Sequence, residues 1–572
     1  MQKTFTWAIL LAFLLQIASY GLKSSSDART QPTTLNSTDL VPNSPSMYKT
    51  VSLSLQKTEQ HAEEILEHLS FDKPLYHLFS CSYLFSAGLT AWSSIFAEKA
   101  IQYGASFFLK EKKQHPLEDF STIERDSRQW AKLKNLENKI TLGLSNPHFL
   151  LGVATCTYQD SGSENCPDSQ WATWELKKVA PDNRSGKSAD LFSLYQTDAG
   201  RQEIISRLNR LGVNTYRFSI EWSHIEPREG EFHKEKLDIY INLCKALHNA
   251  KIQPIVTLHH FSEPKWFHEK GSFEKEENIQ YFERYVRYIS GPLTQSYKKS
   301  RHLVRYICTI NEPSIEAFSR YIIQAYSPGC TLNFKRAGFF LKGMLKAHCS
   351  AYNIIKEQNP LVQVGIVHQY LAFESTHPLL SFFPRYLNRL INETSLHFFK
   401  TGQFKLKIPF FCNIQEQMDS KPPTDFVGLQ YYARPLLGFT GSANFYEAKT
   451  LMPLREDPEG LYRAVIKTYN AFQKPIIITE NGISTYSDEQ RSRYLERALY
   501  ALQQAQNLIG KKNVLGYLVW SLCDNFEWDR GMRPQSFGLY LSKDGQLSEE
   551  PKKGADPFIR LSKNWQKIHR SP

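Results

Sequence analysis

From about residue 146 onward, short apolar runs rich in β-branched residues alternate with longer amphipathic stretches. The runs fall at 149–155, 213–220, 253–259, 304–310, 362–368, 426–432, 475–479 and 514–521. Near-continuous hydrophobicity over five to eight residues is what a strand buried on both faces of a parallel sheet requires. Between them, segments such as 202–211, 237–250 and 491–508 carry apolar residues at helical spacing. Eight strands alternating with helices between residues 146 and 568 predict an α/β fold, a (β/α)8 barrel. A doubly wound open sheet is the alternative. No glycine-rich phosphate loop follows the first strand, which weighs against a nucleotide-binding version.

The N-terminal quarter has a different texture. Residues 1–21 carry Lys3, an apolar run over 6–18 and small residues at 19–21, the pattern of a signal peptide or an N-terminal anchor. An exported protein, secreted or periplasmic, is therefore expected. Residues 22–49, rich in Ser, Thr, Asn and Pro, read as a disordered linker, and 50–145 as a helical extension. Within it, residues 75–97 contain no Asp, Glu, Lys or Arg, and their length suits a membrane span. Several Ser together with His77 and Gly88 weaken that reading, so a membrane-associated or re-entrant helix and a buried helix packed on the main domain both stay open. Lys110, Lys112 and Lys113 beyond it suit an interfacial anchor. Asn36, Asn183 and Asn392 begin N-x-S/T triplets.

Composition narrows the classes. With 41% hydrophobic and 13% aromatic residues the chain has ample material for a core, and its 10 Trp and 29 Tyr suit a flat-faced ligand such as a sugar. The net charge of +12 is scattered along the chain without a nucleic-acid motif. That leaves a solvated basic surface, or attraction to anionic membranes and polymers. Nine cysteines with no C-x-x-C pair suggest neither a zinc site nor a disulfide framework, although Cys156 and Cys166 are close enough in sequence to bridge. No metal site and no cofactor are expected.

Two glutamates end strand-like runs: Glu312, followed by Pro313, and Glu480, followed by Asn481 and Gly482. Two carboxylates delivered to the rim of a barrel are the minimum equipment for breaking a glycosidic bond. Other strand ends offer Gln159, Arg217, His260, Asn311, Tyr432, Trp520, Glu527 and Trp528. A cation such as Arg217 and a hydroxyl such as Tyr432 would keep Glu480 ionised and nucleophilic, while a neighbouring carboxylate would raise the pKa of Glu312 and suit it to protonate a leaving oxygen. Asn311 suits the sugar 2-OH. A carboxyl separation of about 5 Å implies retention of configuration, and one of about 7–9 Å inversion.

The motifs TINEP (309–313), ITENG (478–482), FLLGVATCTYQ (149–159), YRFSIEWSHIEP (216–227) and VWSLCDNFEW (519–528) resemble, in the same order, five signatures of glycoside hydrolase family 1, the β-glucosidase family. The resemblance covers about residues 146–568 and implies a retaining β-glycosidase of β-linked, unphosphorylated glucosides or related hexosides. It makes Glu312 the general acid/base and Glu480 the nucleophile, held by Arg217 and Tyr432. It also gives Gln159, His260, Asn311, Glu527 and Trp528 to the glycone and Trp520 to its stacking floor. The family's phospho-glycosidases have Ser, Lys and Tyr around the position of Glu527, so a carboxylate there implies an unphosphorylated sugar. The chain departs from the family at Asp160–Ser163, at Phe261 in place of an indole donor, at Gln430 in place of Asn, and after Trp528. The expected partner is a small-molecule, oligosaccharide or glycolipid substrate and no nucleic acid. Two other readings accompany the hydrolase: a transglycosylase using a glycolipid or other hydroxyl acceptor, and an inactive sugar-binding relative, which typically lacks one glutamate.

Overall fold

Eight strands close into a barrel: β1 Leu150–Ala154, β2 Thr215–Ser219, β3 Gln253–His259, β4 Tyr306–Asn311, β5 Gln363–Gln369, β6 Phe426–Gln430, β7 Ile476–Asn481 and β8 Val514–Trp520. Every pair is parallel and follows chain order, and β1 pairs with both β2 and β8, so no edge is left. That closure sets aside the open-sheet alternative. All eight apolar runs became barrel strands. Their unbroken hydrophobicity reflects walls covered outside by helices and filled inside by side chains. This computed structural model describes residues 120–132, 136–298, 302–371, 373–375, 388–408, 411–438, 441–442, 450–452, 456–533 and 535–570.

The covering helices start and stop where local chemistry dictates. Asp198–Leu211 is capped by Thr197, whose side chain accepts from the Gly200 amide, and ends at Gly212 in the left-handed conformation (φ 72°). Phe334–Gln358 and Asp488–Ile509 are capped in the same way by Asn333 and Ser487. The three helical stretches anticipated from spacing lie largely within Asp198–Leu211, Lys234–Asn249 and Asp488–Ile509.

Segments 1–21, 22–49 and 75–97, with Asn36 and Lys110–Lys113, lie outside the described residues. Of the extension, helix Phe120–Lys132 is seen; its buried Ser127 donates to Glu459 Oε1 at 2.7 Å and ties it to the barrel. No helix among the described residues is long and apolar enough to cross a membrane.

Two local possibilities raised by the sequence are not realised. Cys156 and Cys166 are separate, buried free thiols. Asn392 is buried, its amide donating to Leu371 O at 2.7 Å, and Asn183 is committed to the Arg530 and Arg533 carbonyls at 2.9 and 3.1 Å. Both amides serve as structural donors.

The end of β7 depends on Gly482. A Cβ there would sit 2.2 Å from the Trp520 carbonyl oxygen at the end of β8. Gly482→Ala is expected to cost about 1–3 kcal/mol through this overpacking, read as a lower melting temperature by circular dichroism. A variant as stable as the parent would show that the two strand ends can separate freely.

Candidate active site

The C-terminal ends of the strands deliver nearly every polar group singled out in the sequence. β4 ends on Asn311, and Glu312 follows with a left-handed backbone (φ 42°), heading the helix Pro313–Tyr321. Pro313 suits that first turn because its fixed φ is helical and its missing N–H has no partner to lose. β7 carries Glu480, β2 carries Arg217, and His260 directly follows β3. Gln430 ends β6 and Tyr432 lies two residues on, while Trp520 ends β8 and Glu527 and Trp528 lie in the loop after it. Gln159 sits in the helix Thr157–Asn165 after β1.

Around Glu480 the geometry is tight. Arg217 Nη1 lies 2.5 Å from Glu480 Oε1, and the Tyr432 hydroxyl donates to Oε2 at 2.5 Å. Fully buried Arg217 also reaches Asn311 Oδ1 with Nη2 at 2.7 Å and Thr257 Oγ1 with Nε at 3.0 Å. Gln430 Nε2 donates to the same Asn311 oxygen at 2.9 Å, and His260 Nε2 stands 3.9 Å from Glu480 Oε1. A planar guanidinium with several donors is the group that can span three acceptors while buried. Asn311 accepts twice through its oxygen, while its amide Nδ2, His260 Nδ1 and Gln430 Oε1 have no hydrogen-bond partner among the described residues. Buried polar groups are ordinarily hydrogen-bonded, so these atoms suit a polar ligand.

The electrostatics separate the two glutamates. Burial pushes Glu312 well above the usual carboxylate range, reinforced by the charges of Glu480 and Glu527 and opposed by Arg217. Glu480 is also raised by burial, but Arg217 and the hydrogen bonds from Tyr432, Arg217 and Gln430 work against the rise. Arg217 and Tyr432 thus act on Glu480 in the expected direction, favouring its ionised form against the push of burial, and the pair differs in degree, with Glu312 the more readily protonated. Glu527 is pushed up to about 8 by burial, then by Asp529 and Glu480. His260 is held neutral by burial and by the charges of Arg217 and His259.

Trp528, with φ 50°, stacks nearly parallel to Tyr158 at 6.0 Å and lies 4.7 Å from Trp171, 5.3 Å from Phe261 and 5.8 Å from Tyr326 between ring centroids. Trp520, 4% exposed, has its ring 6.0 Å from that of His260. Gln159 Nε2 donates to Phe526 O at 2.8 Å and reaches Glu527 Oε2 at 3.4 Å. Behind Glu312, His259 Nε2 lies 2.8 Å from Glu316, and Arg320 links Glu316 and Glu263 at 2.9 and 2.8 Å, all buried. This ion network joins the helix headed by Glu312 to the loop after β3.

The sequence reading missed Thr257, the bridging role of Gln430, and the aromatic partners Tyr158, Trp171 and Tyr326. Thr257 reads as an ordinary strand threonine, and Gln430 was noticed only as a departure from a motif. The rings come together from distant loops with no common spacing.

The profile of glycosyl hydrolase family 1 matches residues 145–565. A 6-phospho-β-galactosidase from Staphylococcus epidermidis is 26% identical over 484 residues, covering 73% of this chain and 97% of its own. A β-glycosidase structure from Pyrococcus horikoshii is 28% identical with a TM-score of 0.64, covering 74% of this chain and 97% of that one. The family 1 β-glucosidase from Exiguobacterium antarcticum is 25% identical with a TM-score of 0.64, covering 74% of this chain and 98% of that one. The match to the family profile runs the length of the barrel that carries both strand-end glutamates, and the chain belongs to glycosyl hydrolase family 1, as a glycoside hydrolase.

Proposed function

We propose that the chain is a retaining β-glycosidase of unphosphorylated hexosides. The observation that supports this most directly is the placement of Glu480 between Arg217 and Tyr432, beside a Glu312 whose pKa is raised further. In this reading a Glu480 oxygen attacks the anomeric carbon while the Glu312 carboxyl gives its proton to the departing oxygen. Glu312, now a carboxylate, takes a proton from water as that water attacks the same carbon and releases Glu480. The Asn311 amide has a free donor for the sugar 2-OH, a contact that strengthens as the oxocarbenium character develops. Trp520 and Trp528 supply the apolar walls, and Gln159, His260 and Glu527 the hydrogen bonds that orient a neutral hexose.

A second reading, a 6-phosphorylated substrate, is favoured by the activity of the staphylococcal relative, a 6-phospho-β-galactosidase. Against it stands Glu527, whose carboxyl is flanked by Asp529 and Glu480. Arg530 is the cation that acts on Glu527, and it is outweighed there by burial and by the charges of Asp529 and Glu480, so a phosphate dianion at this position would meet net acidic surroundings. The deciding experiment compares p-nitrophenyl β-glucoside, β-galactoside and β-fucoside with the β-galactoside 6-phosphate. We expect a neutral sugar to be cleaved with the higher kcat/KM, and Glu527→Ser to narrow the difference. Faster cleavage of the phosphorylated sugar would overturn the neutral-substrate reading.

A further inference from the structure

One aromatic residue at the site has no role in the reading above. Tyr326 lies in the segment after the helix Pro313–Tyr321, the helix that Glu312 heads. Its ring is 8% exposed and packs 5.0 Å from Trp171, 5.4 Å from Phe261 and 5.8 Å from Trp528, between centroids. Two of these neighbours flank the expected glycone: Trp528 itself, and Phe261, which follows His260 and stands where an indole donor is otherwise expected.

The backbone beneath Tyr326 is pinned. The amides of Ala325 and Tyr326 both donate to Ser319 O, at 2.9 and 3.0 Å, so the segment is tied to the Glu312 helix. Trp174 Nε1 donates to Ala325 O at 3.1 Å, and Ser327 Oγ lies 2.9 Å from His268 Nε2. The ring is thus placed from both sides. Its hydroxyl has no hydrogen-bond partner among the described residues. Burial, and then the charges of Asp529, Glu527, Glu312 and Glu316, push the phenol well above its usual range. A phenol so placed stays protonated and remains a donor. It lies within the field of the same carboxylates that line the sugar site.

From this arrangement we infer that Tyr326 is a glycone-binding residue, its hydroxyl donating to a ring hydroxyl of the sugar beside Trp528 and so supplying the donor that Phe261 lacks. The inference rests on the β-glycosidase reading above. It predicts a specificity contact that acts through substrate binding, separate from the proton transfers of Glu312 and Glu480.

Tyr326→Phe keeps the ring and its packing and removes only the hydroxyl. The test compares wild type and variant on a p-nitrophenyl β-hexoside and on its 3-deoxy and 4-deoxy analogues, alongside their melting temperatures. The expected result is a drop in kcat/KM of roughly tenfold on the parent sugar, carried mainly by KM, at unchanged melting temperature. On one of the two deoxy sugars wild type and variant should become equal, because the bond is already absent. Unchanged kinetics on the parent sugar, or the same loss on all three sugars, would overturn the assignment and leave Tyr326 a packing residue. A wild type inactive on every hexoside would sink the glycosidase reading and this inference together, whereas an active wild type with an unaffected variant sinks the inference alone.

Discussion

Glu480→Gln releases no measurable sugar beyond a residue roughly 10⁴-fold below wild type, because the amide cannot form the glycosyl ester. The substitution is nearly isosteric, and the groups expected to hold a neutral sugar stay in place. Its single amide oxygen can accept from Arg217 or from the Tyr432 hydroxyl, which donate to separate oxygens of Glu480, but not from both. The substitution also leaves Arg217 buried without its counter-charge, and an uncompensated buried cation is costly. A lower melting temperature is therefore expected alongside the loss of rate, and the two must be read separately. Glu480→Gly makes the distinction. It opens room for a small external anion such as azide to attack the anomeric carbon on the face that Glu480 occupied. In a single displacement the product would be a glycosyl azide of inverted configuration, identified by NMR. Rate recovered with azide, with inversion, assigns the nucleophile to Glu480; full activity in Glu480→Gln without azide would remove that assignment altogether.

Much of this was legible because barrel strands are short and buried on both faces. Each left an apolar run long enough to see, and the two glutamates stood out as charges ending such runs, with Pro313 or Gly482 breaking the strand behind them. Strand order was legible too, since a helix between consecutive parallel strands makes them neighbours. What escaped depends on depth and on convergence. The net upward push on Glu480 comes from complete burial, which the residues beside it in sequence do not reveal. The shared oxygen of Asn311 joins β2, β4 and β6 through Arg217 and Gln430, and no spacing encodes a contact among three strands. Cys156 and Cys166 are near in sequence and share one apolar cluster, yet both are free thiols, and the triplet at Asn392 fell on a buried amide. Short-range patterns report strands and turns well; they do not report which side chain ends up dry.

The largest remaining effect concerns Glu312 and depends on the leaving group. Glu312→Gln removes the proton donor while leaving Glu480 and its partners in place. For a substrate whose leaving oxygen is a poor base, such as 2,4-dinitrophenolate, departure needs no proton, and the first step should proceed near the wild-type rate. For an alkyl glycoside or a disaccharide the same step should slow by about 10²–10⁴-fold, the usual worth of a placed general acid. The second step loses its base in either case, so the dinitrophenyl substrate should show a burst of phenolate followed by slow turnover. The pH profile gives an independent reading. In wild type, kcat/KM requires Glu312 protonated and Glu480 ionised, so the acid limb reports Glu480 and the alkaline limb Glu312. Both limbs belong to a coupled pair and are displaced upward from ordinary carboxylates, the alkaline one further, in line with their directions of shift. In Glu312→Gln the alkaline limb should vanish for the dinitrophenyl substrate while the acid limb stays close to its wild-type position, because Glu312 is already protonated and neutral across that limb and the glutamine takes no charge away from Glu480 there. Equal loss across leaving groups, or an alkaline limb retained in the variant, would mean that the proton comes from another group, with Glu527, pushed up to about 8, the nearest candidate by its own protonation.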